Sequence, residues 1–120
     1  MYLTVPDGEL YLMLASPTLM AQMWPAASQE LTVLLQVLRV AGPTLADVFI
    51  IGLVAVMTPV SGQSLARIVL SYRRAVLTAI ALDLPGGVPV DHPHRRPETV
   101  RALRVVDVAV EGRAAVGLAG

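Results

Sequence analysis

Hydrophobic positions recur along the chain at helical spacing. Leu31, Leu34, Leu35 and Leu38 fall on one face of a 3.6-residue repeat, with Thr32, Gln36 and Arg39 on the other. This predicts a helix from Ser28 to Ala41, stopped by Gly42-Pro43. Ser16-Pro17 reads as an N-cap and first helical residue, opening a short helix over Pro17–Trp24 that Pro25 ends. Over Ser64–Leu82 the polar residues Ser64, Arg67, Ser71, Arg74 and Thr78 are three or four apart, which predicts an amphipathic helix.

Between these lies Thr44–Val60, whose centre Val48–Met57 has no polar or charged side chain. Thr44 and Asp47 resemble a capping box, with Asp in place of Glu or Gln, and Asp47 suits the positive end of a helix dipole. Seventeen helical residues reach about 26 Å, close to the roughly 30 Å hydrocarbon core of a bilayer. The segment is therefore expected to be a short single membrane span, with a core helix as the alternative. Arg67, Arg73, Arg74, Arg95, Arg96, Arg101 and Arg104 follow it and only Arg39 precedes it. The positive-inside rule then places the N-terminus outside and the C-terminal half in the cytoplasm. Arg67, Arg73 and Arg74 exclude a second span and would lie among headgroups.

Residues 2–14, YLTV-PDG-ELYLML, read as a β-hairpin about a Pro-Asp-Gly turn. Residues 83–97 form a Pro-rich loop of extended character. In residues 98–111 the charges Glu98, Arg101, Arg104, Asp107 and Glu111 follow a helix, whereas the valines suit a strand; a helix is favoured. The expected architecture is one mainly α domain, with an N-terminal hairpin, a central apolar helix and an amphipathic helix.

Composition changes this picture little. Of 120 residues, 55% are hydrophobic and 15% charged, which points to heavy burial in protein or lipid. Nine cations balance nine anions, and every cation is Arg, as a GC-rich coding sequence produces. That balance gives no footprint for nucleic acid. No cysteine is present, so disulfides and thiolate sites are excluded, and the first residues carry no positive charge, so a secretory signal is not expected.

Candidate chemistry is sparse. Asp91, His92 and His94 are the one cluster able to ligate a divalent ion, but the spacing is not a recognised site and a solvated His-Pro loop is the simpler reading. Ser61-Gly62-Gln63-Ser64 lacks the glycines of a nucleophile elbow, and Gly86-Gly87 lacks the lysine of a phosphate loop. Arg67, Arg73 and Arg74 are the candidate contacts for lipid or a protein partner. No catalytic residue and no cofactor are expected.

Leu31–Met57, with LTVLLQVLRV, then Pro43 and Leu45-Ala46-Asp47-Val48 before an apolar run, loosely resembles the linker and fifth helix of voltage-gated-type cation channels. No arginine-repeat sensor precedes it and no selectivity filter follows, so no residue role carries over. The expected function is a small non-catalytic membrane subunit that scaffolds or assists other subunits. The alternative is a soluble helical interaction module, monomeric or homodimeric.

Overall fold

Ile68 and Leu70, then Ala75, Leu77, Ala79 and Ala81, are buried at every second position, with half-buried residues between them. That period-two pattern marks strands, not a helix. The computed structural model describes residues 1–57, 65–83, 86–110 and 113–114. Its elements are β1 (Tyr2–Thr4), α1 (Gly8–Ala15), α2 (Pro17–Met23), α3 (Ser28–Val40), α4 (Leu45–Ile51), β2 (Ala55–Met57), β3 (Arg67–Tyr72), β4 (Ala75–Leu82), a 3₁₀ turn (Pro97–Thr99), β5 (Ala102–Val110) and β6 (Arg113–Ala114).

The chain is an α/β fold, which corrects the mainly helical expectation. Its mixed sheet runs β1-β5-β4-β3-β2, with β6 also paired to β5. The β1–β5 pair is parallel and the other pairs are antiparallel. Leu31, Leu34, Leu35 and Leu38 of α3 join Ile68, Leu70, Leu77, Leu103, Val105 and Val108 of the sheet in one core. Each fully buried leucine contributes about 1.5–3 kcal/mol by leaving water, before the entropy of ordering it. The opposite face of the sheet carries half-buried Arg67, Val69, Ser71, Val76, Thr78, Ile80 and Arg104.

Helix α3 stands where periodicity placed it and α2 where Ser16-Pro17 placed it, with Ser16 capping α2 by accepting from the Leu19 N–H at 3.3 Å. Four other elements differ. The N-terminal hairpin is instead a strand followed by a helix. Asp7 is the N-cap of α1, its carboxylate accepting from the Leu10 N–H at 2.9 Å, and Leu10, Met13 and Leu14 turn into the core at helical spacing. β1 finds its partner in β5, with Tyr2 opposite Ala102.

The membrane span is corrected too. Helix α4 has seven residues, ended by Gly52 at φ 73°, and the apolar run then turns into strand β2. Residues 58–60 lie outside the described set. No helix among the described residues is long and apolar enough to cross a membrane, so the inferred orientation has no helical span to orient. Leu31–Met57 accordingly forms α3, α4 and β2 in place of a channel-like linker and pore helix.

The amphipathic helix is a hairpin of β3 and β4, closed by Arg73-Arg74, with Tyr72 opposite Ala75. The start of the predicted helix, Ser64, lies outside the described residues. Residues 98–111 are mainly strand β5, the valines prevailing over the charge spacing.

Candidate functional site: an uncharged sheet edge

The segment from Thr44 to Met57 builds the most distinctive surface of the molecule. At its start, Asp47 Oδ2 accepts from the Thr44 N–H at 3.0 Å and from Thr44 Oγ1 at 3.2 Å, so the carboxylate reaches back over the first turn of α4. The Leu45 N–H donates to the Val100 carbonyl at 3.0 Å, which ties α4 to the chain entering β5. Leu45 and Val48 are buried. With those two facing inward, Phe49, Ile50 and Ile51 are left facing out, and Ile50 is 82% exposed. After Gly52, Leu53 is also exposed (56%) while Val54 turns in.

Strand β2 pairs with β3 through Ala55–Ser71, Val56–Leu70 and Met57–Val69. Val56 lies against the core, and Ala55 and Met57 are exposed. The other side of β2 meets no strand among the described residues. From Val48 to Met57 there is no charge and no proline, the two usual guards of a sheet edge.

The arginines expected to contact a partner do not form one group. Arg67 begins β3, whereas Arg73 and Arg74 occupy the hairpin tip at its other end, about 20 Å away along an extended strand. The Arg67 Nε is buried without a hydrogen-bond partner. Arg74 is a clamp. Its backbone N–H donates to Glu30 Oε2 at 2.7 Å, its Nη2 to Glu30 Oε1 at 3.2 Å and to the Ala26 carbonyl at 2.8 Å. These bonds fasten the β3–β4 turn to the start of α3.

The backbone hydrogen bond from Arg74 holds the Glu30 carboxyl below its ordinary value of 4.5. Desolvation opposes it, and the Arg74 side-chain bond and charge add to it. Arg73 sits beside the clamp at φ 53°, its guanidinium 5.5 Å from the centre of the Tyr72 ring. A groove of about 520 Å³ runs past these groups, floored in part by Pro25, Ala26 and Val33.

His92 and His94 lie edge to face with ring centres 6.0 Å apart. Among the described residues, no group of three His, Cys, Asp or Glu side chains is arranged to hold a metal, so Asp91 does not complete a site with them. His92 instead shapes the loop. It takes φ 52°, its N–H donates to the Leu65 carbonyl at 3.0 Å, and its carbonyl accepts from Arg95 at 2.9 Å. The serines Ser61 and Ser64 lie outside the described residues.

Sequence reasoning missed Glu30 as a partner of Arg74, since 44 residues separate them and no local pattern joins them. It located the apolar stretch but assigned it to lipid. Comparison of the chain with protein-family models, curated proteins and solved structures gives no match.

Proposed function

We propose that this chain is a non-catalytic interaction module of the cytoplasm that associates with a second copy of itself through β2 and the outer side of α4. The observation that supports the reading is the edge strand flanked by exposed Phe49, Ile50, Ile51, Leu53 and Met57, without a charge in the segment. These side chains leave on the order of 500 Å² of apolar surface per copy, as large as the biggest patch on an ordinary monomer. Two such patches would bury roughly 1,000 Å², the lower bound of a specific interface.

A second copy is favoured for a symmetry reason. One strand edge paired antiparallel with its own two-fold image meets an identical row of donors and acceptors. The absence of charge means that identical patches meet without repulsion. The two sheets would then run on as one across the two-fold axis.

Sedimentation velocity across a concentration series tests this. The wild-type chain should sediment as a dimer at tens of micromolar. Ile50→Glu and Met57→Lys, both at exposed positions, should sediment as folded monomers with unchanged circular dichroism. A wild-type monomer at every concentration, or charged variants that dimerise as tightly as wild type, would remove the proposal.

A further inference from the structure

A second groove, separate from the sheet edge, has a different chemistry. About 500 Å³ in volume, it is lined by Met1, Tyr2, Arg39, Pro43 and Arg101. Its two guanidiniums come from elements 62 positions apart. Arg39 stands in the last turn of α3, and Arg101 directly precedes β5.

Both anchors are held. The Arg101 N–H donates to the Leu82 carbonyl at 3.0 Å, and its carbonyl accepts from the Tyr2 N–H at 3.2 Å, so strands on both sides pin its backbone. Helix α3 packs into the core through Leu34, Leu35 and Leu38, which fixes the turn bearing Arg39. Neither side chain makes an ion pair with a described residue; the pair that does form is Arg74 with Glu30. Among the described residues, no carboxylate lines the groove. The nearby Asp47 is engaged by Thr44.

Two guanidiniums facing one groove, with the Met1 ammonium beside them, repel each other until an anion joins them, and a guanidinium fork fits a carboxylate by paired hydrogen bonds. Tyr2 and Pro43 give the lining its apolar part, which the arginine stems extend, while the Met1 ammonium donates to the Arg39 carbonyl at 3.3 Å and the Gly42 carbonyl at 2.6 Å. The volume falls within the range of small-molecule sites. We infer that this groove binds a single-chain amphiphile with a carboxylate head, such as a medium-chain fatty acid, its head between Arg39 and Arg101 and its tail along Tyr2 and Pro43.

The test is isothermal titration of the whole chain with decanoate below its micellar concentration, with acetate and decanol run in parallel. Decanoate should saturate one site per chain, while acetate, which lacks the tail, and decanol, which lacks the charge, should not. Arg39→Gln and Arg101→Gln should each weaken decanoate about tenfold or more, the worth of a charge-assisted hydrogen bond. Arg73→Gln, remote at the hairpin tip, should bind as wild type. Melting curves should be unchanged in all three variants, because these arginines are exposed. Decanol binding as tightly as decanoate, both groove variants binding like Arg73→Gln, or no saturation by decanoate would each overturn the inference. The oligomeric state of the chain does not enter the readout, since the variants leave β2 intact.

Discussion

Replacing Gly42 by alanine should destabilise the protein far more than a surface Gly→Ala change ordinarily does. Gly42 adopts φ 155°, in a region that residues with a Cβ avoid. A Cβ built there would lie 2.7 Å from the Cβ of Asp47 and closer still to its carboxyl group. Asp47 belongs to α4 and cannot retreat without moving the helix, and its carboxylate would be pushed off the Thr44 N–H. Backbone strain costs about 1–3 kcal/mol and the lost cap about 1 kcal/mol, together roughly 2–4 kcal/mol. With an m-value near 2 kcal/mol/M, the urea midpoint should fall by about 1–2 M.

Gly52→Ala is the control. Its φ of 73° also penalises a side chain, but a Cβ there meets nothing within 4 Å, so the cost should stop at about 1–2 kcal/mol. Asp47→Ala should cost about 1 kcal/mol. The double variant Gly42→Ala/Asp47→Ala should be about 1 kcal/mol less destabilised than the sum of the two, because the same cap cannot be lost twice. Equal midpoints for Gly42→Ala and Gly52→Ala, or full additivity in the double variant, would refute the argument.

Two further outcomes are expected. Because the Glu30 carboxyl titrates below 4.5 in the folded chain, its contribution is complete above that value and is lost as pH falls through the lowered one. Urea midpoints of wild type and Glu30→Gln should therefore differ by a constant amount between pH 5 and 8 and converge in more acid buffer; a gap that widens on acidification contradicts the assignment. Trp24 is buried with its Nε1–H unbonded, so Trp24→Phe forfeits no hydrogen bond and the relief of that donor offsets part of the lost volume. Chemical denaturation should show a cost below about 2 kcal/mol, against the 3–5 kcal/mol typical of Trp→Ala.

Helix α2 was legible from its Ser16 cap and Pro17, and α3 from its leucine spacing, although the residue before α3 is Ala27 and Ser28 does not cap it. The start of α4 was legible too, from Thr44 and Asp47. Its end was not, because Gly52 inside an apolar run reads equally well as a helical residue or a stop. The β3–β4 hairpin was hidden for two reasons. Its turn is Arg73-Arg74, with the first residue at positive φ and no Gly, Asn or Asp to announce it. Arg67 to Ser71, and Arg74 to Thr78, are four apart, and an even separation satisfies a strand as well as a helix.

In β5 a bulge produced the false helical signal. The register places Arg104 opposite Ile80 and Asp107 opposite Thr78, with Val106 as the extra residue. Two charges three apart thus share one face of a strand. The candidate surface was found as a stretch and missed as a site, because a run of apolar residues does not reveal whether lipid, core or another chain covers it. The Arg39–Arg101 groove left no trace in the sequence, since only the sheet brings its walls together.

The parallel pairing of Tyr2 with Ala102 sets a timetable for synthesis. A ribosome adding about 5–20 residues per second needs roughly 5–20 s to make β5 after β1. During that interval the first strand has no neighbour, while the leucines of α3 have only the β3–β4 hairpin to lie on. The β3–β4 hairpin assembles early because its contacts are local, but the core is closed only when β5 slides between β4 and β1. A nascent chain stalled before Ala102 would therefore leave β1 unpaired and the edge of β4 open to chaperones, and a sharp rise in protease resistance should mark the emergence of β5 from the exit tunnel.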